Sequence, residues 1–350
     1  MVQTLKTGAS APRLLAFGAW AVAVGYAIWS ALPFVGGVED RDFAIFWLAG
    51  KAALAGHPQL AYDQAWFAGQ SRELLGVVHS AIPHPPTIFL LFAPLALLPM
   101  APAFLVWNGI SALLFVWAAR PYMPGVPSIL AMLTPAACIS FALGQTGLFI
   151  GALWLIAFRG HPWAVGLLTL KPHIGWMTAL TLDQPRKFVM ASASALALII
   201  LAAILFPAAF ADFPDALARH GSYLGSKAYK IWYFQVVSPR FGYGLIGWLL
   251  FAGAATALLW RRFNVFTAAT ASLLITPYAL HYDMTVACLG MGLALLRERR
   301  PIFQFLLLFG FFTPYVVLVG TTWFAPPLIL GALVAQVFGE PANSASIHQE

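Results

Sequence analysis

Residues 14–47 read LLAFGAWAVAVGYAIWSALPFVGGVEDRDFAIFW. Positions 14–35 carry no Asp, Glu, His, Lys or Arg, and a helix needs only ~20 apolar residues to cross the hydrocarbon core of a bilayer. The run is too long for a secretory signal and has no small-residue cleavage site, so it reads as a retained span. Lys6 and Arg13 precede it, and cationic flanks stay in the cytoplasm. The acidic stretch EDRDFAIFW, residues 39–47, therefore emerges on the outer side.

The rest of the chain agrees with a membrane reading. Of 350 residues, 61% are hydrophobic and 9% charged, with a mean hydropathy of +0.82. A soluble domain has roughly 45–50% apolar and about 25% charged residues. The fold expected is an all-α polytopic bundle. The net charge of +7 belongs to short loops between apolar runs, not to a nucleic-acid groove, which would need a basic stripe outside the membrane. Cys138 and Cys288 both sit in apolar runs with no His or Cys at ligand spacing; they read as small buried hydrophobes, and no metal site is expected.

Working outward, residues 43–56 and 60–78 are amphipathic and lack the combined length and hydrophobicity of a span, so they read as helices on the outer interface. Further spans are expected at 103–119, 127–142, 144–158, 162–182, 188–206, 241–260, 264–280, 284–296, 302–320 and 324–338. With the proline-bracketed run at 86–99 counted in full, the total is about twelve, within a range of ten to thirteen. A second model makes 86–119 one broken pass and 162–182 a hairpin with Lys171 at its apex. Arg186, Lys187, Arg261, Arg262, Arg297, Arg299 and Arg300 fall inside; twelve full spans put Arg120 and Arg159 outside. Both models leave the polar loops at 35–85 and 207–240 outside, together with the turn at 281–283. Residues 1–339 read as one membrane domain, and 340–350 as a disordered tail.

Several polar residues are not explained by the membrane. Glu39, Asp40, Arg41 and Asp42 are four consecutive ionisable residues, costly at a membrane rim. Glu39 and Asp40 fit a solvated loop start, whereas Asp42 opens an aromatic helix and reads as functional. Gln145, in GQTG at 144–147, either bridges helices or serves a site. Lys171, in LKPH at 170–173, lies in an apolar stretch and needs a counter-ion or a wet cavity. It reads as half of a structural Lys–Asp pair or as a fixed cation for an anionic ligand, most naturally a phosphate. His281, Tyr282 and Asp283 cluster in TPYALHYD at 276–283, on the same side as Asp42. His84, between Pro83 and Pro85, is on the outer face too. The common motifs of soluble enzymes, such as a phosphate-cradling glycine loop or HExxH, are missing.

This ordered set resembles glycosyltransferase family 87, a family of the GT-C membrane fold that uses polyprenyl-phosphate sugars. The matching segments are DFAIFWLAGKAALAGHPQLAY (42–62), HPPTIFLLFAPLALLP (84–99), GQTG followed by LKPH, and PYALHYD. His84 stands where the family usually has an aromatic before Pro-Pro. The resemblance implies transfer of a hexosyl group, mannosyl in type, from a polyprenyl-phosphate donor to a hydroxyl of a lipid or glycan acceptor. It places the reaction on the extracytoplasmic side of the inner or plasma membrane, in contact with membrane lipids, with no cofactor and no nucleic acid. By the same resemblance Asp42 is the general base, with Asp40 the runner-up. The chemistry of phosphate departure makes Lys171 and His281 the candidate donor-phosphate groups, with Gln145, His84, Tyr282, Asp283, Arg219 and His220 as candidate supporting residues. The competing expectations are a transporter or lipid flippase using Lys171 and His281 as substrate residues, and an assembly partner whose acidic loop is only a contact surface.

Overall fold

A computed structural model of the protein describes residues 37–224, 236–318 and 322–339, together with positions 15, 18–22 and 25, and the backbone alone at 220–224. Most of the expected first span, the loop carrying Lys227 and Lys230, the His220 side chain and the expected tail lie outside the described residues. Among the described residues all regular structure is helical; the β geometry is one isolated antiparallel bridge, Val236 to Leu280.

The helices are α1 (Asp42–Leu54), α2 (Gln64–Leu75), α3 (Phe89–Leu95), α4 (Met100–Ala119), α5 (Pro135–Leu143), α6 (Gly147–Phe158), α7 (Pro162–Leu167), α8 (Pro172–Gly175), α9 (Pro185–Leu205), α10 (Pro207–Leu224), α11 (Pro239–Arg261), α12 (Val265–Ile275), α13 (Thr285–Leu295), α14 (Pro301–Leu318) and α15 (Ala325–Phe338). Proline opens many of them, because the first helical residue needs no N–H partner and its φ suits the turn. Side-chain caps set two other starts. Asp63 Oδ1 accepts the Ala65 and Trp66 N–H groups, and Asn264 Oδ1 those of Phe266 and Thr267.

Four helical stretches are long and apolar enough to cross a bilayer, at 100–122, 185–205, 239–261 and 301–318. The expected count of about twelve spans goes beyond these four, and several of the candidate runs are broken among the described residues. The candidate at 127–142 divides into a 3₁₀ stretch, Ser128–Leu133, and the short α5. That at 264–280 stops at Ile275. At 162–182 the chain breaks at Lys171, whose φ of −140° and ψ of 70° leave the helical region. The 3₁₀ stretch Trp176–Thr181 then packs back on α7, as the hairpin alternative expects. Pro172 is the local cause, since it disfavours the helical backbone at the residue before it. The stretch at 207–240, expected as an outer polar loop, begins with the 18-residue α10. Its Phe213 packs against Tyr62, with ring centroids 5.7 Å apart.

Two apolar cores follow. The larger joins α5, α6, α12, α13, α14 and α15, and includes Trp20 from the first apolar run, edge-on to Phe311 at 6.2 Å. The smaller wraps α1 with α3 and the start of α4. There Phe46 stacks on Phe92 at 4.5 Å, and Gly50 lets the two helices touch, since a Cβ would stand 2.5 Å from the Phe92 carbonyl oxygen. By contrast, α9 and α11 leave most of their apolar surface outward, with Ile204, Ile246 and Leu250 among the most exposed side chains. That surface suits a hydrocarbon solvent.

Candidate active site

The smaller core fixes the start of α1. Arg41 is extended, and its guanidinium donates to the Ala142 carbonyl at 3.0 Å while lying 4.9 Å over the Phe104 ring. Asp42 is then the first helical residue, where the positive end of the helix favours a carboxylate. Asp42 is half-buried, and Asp40 is exposed in the turn before it.

Gln145, 103 residues further on, donates from Nε2 to Asp42 Oδ2 at 2.7 Å. Two forces act on this carboxyl. Desolvation by burial is the larger and pushes its pKa up; the Gln145 hydrogen bond and the charges of His79 and Lys171 pull the other way. The result is a carboxylate above its ordinary range, closer to what a base working near neutrality requires.

The GQTG turn is wedged between two partners. Gly144, with φ of +66°, ends α5 in the left-handed region, where L side chains are strained. A Cβ there would lie 2.6 Å from the Cβ of Phe43, and one on Gly147 would lie 2.2 Å from the Tyr282 carbonyl oxygen. Thr285 Oγ donates to the Gly147 carbonyl at 3.1 Å. The turn therefore touches the start of α1 on one side and the 281–285 segment on the other.

That segment is a single 3₁₀ turn, His281–Met284, closed by the Leu280 N–H donating to Asp283 Oδ2 at 3.0 Å. The other carboxylate oxygen of Asp283 accepts from Lys171 Nζ at 2.5 Å, with both side chains buried. The ammonium also sits 4.8 Å from the centroid of the Tyr282 ring. His281 is fully buried, its ring 5.2 Å from that of Tyr282. The Lys–Asp pair open in the sequence thus exists, and Asp283 is its acid.

The remaining expected residues lie elsewhere or act differently. His84 packs its ring 5.1 Å from Phe46, and its carbonyl accepts the Tyr62 hydroxyl at 3.0 Å, so it braces α1. Arg219 lines a separate open cleft of about 460 Å³ with Gln59, Asp63, Gln64, Asp212 and Asp215. His79 is a site neighbour that sequence reasoning missed. Its Nε2 donates to the Glu39 carbonyl at 2.7 Å, and its charge bears on Asp42; no motif marks it. His173 was legible only as part of LKPH, and its ring lies 5.7 Å from Tyr278. Among the described residues no group of three or more His, Cys, Asp or Glu comes together to hold a metal ion.

The arrangement offers a carboxylate with one oxygen held by an amide, a buried cation neutralised by a second carboxylate, and imidazoles nearby. This equipment suits proton abstraction beside a group that carries negative charge. Comparison with known proteins adds the class. No curated protein and no solved structure matches the chain. A family model of glycosyltransferase family 87 matches residues 83–297, which takes in Gln145, Lys171 and His281–Asp283 and begins beyond Asp42. The match spans well over half of the 350 residues, and the chain belongs to glycosyltransferase family 87.

Proposed function

We propose that the chain transfers a hexosyl group, mannosyl in type, from a polyprenyl-phosphate donor to the hydroxyl of a lipid or glycan acceptor. The fold is GT-C-like, and the reaction takes place at the extracytoplasmic face of the inner or plasma membrane. Asp42 takes the proton as the acceptor oxygen bonds to the anomeric carbon, and the bond from that carbon to the phosphate oxygen breaks with its electron pair. Polyprenyl phosphate leaves with that charge. His281 and Lys171 stabilise it, the ammonium keeping donors beyond the one given to Asp283. The observation that carries this reading is the convergence of segments far apart in sequence. Asp42 meets Gln145, the GQTG turn meets Tyr282, and Asp283 meets Lys171.

The test is an assay of the purified protein in nanodiscs against a panel of labelled polyprenyl-phosphate sugars, with native membrane lipids as acceptors. Transfer that is lost in Asp42→Asn supports the proposal. Inertness toward every donor, or full transfer by Asp42→Asn, refutes it.

A further inference from the structure

We propose that Gln145 is a positioning residue, which ties up Oδ2 of Asp42 and so makes Oδ1 the oxygen that receives the acceptor proton. The inference rests on the reading of Asp42 as the base.

The amide can point only one way. The Thr146 N–H donates to Gln145 Oε1 at 3.3 Å, while Nε2 donates to Asp42 Oδ2 at 2.7 Å. An N–H can meet only an acceptor and a carboxylate only a donor, so the two neighbours together fix which end is oxygen. Flipping the amide would set N–H against N–H on one side and oxygen against carboxylate on the other.

Gln145 is also held rigidly. It is 5% exposed. Its own N–H donates to the Ser140 carbonyl at 2.9 Å, and its carbonyl accepts the Ser140 hydroxyl at 3.4 Å. The same hydroxyl oxygen accepts the Leu148 N–H at 3.2 Å. On either side Gly144 and Gly147 press against Phe43 and Tyr282 with no room for a Cβ. The backbone of Gln145 is thus anchored on every side, and Thr146 N–H holds the amide oxygen, so the residue as a whole cannot shift with Asp42 if the carboxylate turns.

The consequence is an asymmetric base. A proton arriving on Oδ2 would face the Gln145 N–H and cost that hydrogen bond, whereas one on Oδ1 leaves it intact. In the transfer, the acceptor O–H bond breaks, its oxygen bonds to the anomeric carbon as the phosphate departs, and the proton ends on Oδ1. Burial raises the Asp42 pKa, and the Gln145 bond opposes that rise because it favours the charged form that accepts the proton.

The test pairs Gln145→Met, which keeps length and loses the hydrogen bond, with Gln145→Glu, which sets a second carboxylate against the first. In protein labelled with ¹³C-carboxyl aspartate, the infrared band absent from Asp42→Asn reports the protonation of Asp42 without any substrate. Its midpoint should move to higher pH in both variants. Turnover of a synthetic polyprenyl-phosphate mannose should fall about tenfold or more in Gln145→Met, with donor KM little changed. A midpoint unmoved in both variants overturns the inference, whatever happens to thermal stability. Full turnover in Asp42→Asn would instead remove the base reading, while the infrared shift would still report the contact.

Discussion

The Lys171 ammonium stands 2.5 Å from Oδ1 of Asp283, 112 residues away, and the two side chains are 4% and 0% exposed. A buried pair of this kind carries a large desolvation cost for each ion, and removing one partner strands the other. Lys171→Ala and Asp283→Ala should each lower stability by about 3–5 kcal/mol, read as a marked fall in melting temperature in detergent. The double change Lys171→Met with Asp283→Leu should be milder than either single change. If Lys171 also holds the donor phosphate, Lys171→Arg retains part of the donor affinity and Lys171→Ala loses roughly tenfold to hundredfold. A lower melting temperature with unchanged donor affinity would leave the pair purely structural.

Asp42 predicts a pH profile with a definite sign. Its pKa is raised, first by burial, so activity should fall on the acid side through a pH above the ordinary carboxylate range. His79 opposes the rise, so His79→Gln should move that limb to still higher pH. Stability runs in the opposite sense. A raised folded pKa gives stability present below the unfolded value and lost as pH climbs through the folded one. Asp42→Asn should therefore melt no lower than the parent near neutral pH while turnover drops ~10²-fold or more. Asp40→Asn, at an exposed position, should cost far less. Equal activity in both variants, measured on a verified substrate, would empty the acidic stretch of catalytic meaning.

Three glycines separate close approach from mere flexibility. Gly147→Ala drives a Cβ to within 2.2 Å of the Tyr282 carbonyl, a backbone atom that cannot swing aside. Gly144→Ala adds left-handed strain at φ +66° to a contact with Phe43. Each should lose about 1–3 kcal/mol and most transfer activity. Gly109→Ala, inside α4 with nothing within 4 Å of the new Cβ, should be neutral or stabilise by about 0.5–1 kcal/mol. Melting curves of the three variants side by side decide the matter.

Topology gives a test independent of chemistry. Cysteines at Glu73 on α2 and Asp212 on α10, both exposed, should react with an impermeant thiol reagent in intact spheroplasts. A cysteine at Arg299, also exposed, should react only after permeabilisation. Reversed labelling would place Asp42 on the cytoplasmic face and end the extracytoplasmic reading.

Membrane class was legible in the chain alone, and the structure adds that helices begin at a proline a few residues before the expected spans at 188–206 and 241–260. Apolar runs partition into hydrocarbon by composition, and a proline such as Pro185 or Pro239 suits the first residue of a helix in any fold. Gln145, Lys171 and the HYD cluster stood out for a similar reason, as polar groups whose burial demands a partner. The identity of each partner was a different matter. Nothing within a few residues of Lys171 specifies Asp283, and nothing near Asp42 specifies Gln145 or His79. Hydropathy left the number of spans open, since it measures preference for lipid and is blind to where a helix breaks. Tertiary packing settled these points: it closed the long loops between the motifs, and the Cβ-free faces of Gly144 and Gly147 let one turn touch both Phe43 and Tyr282.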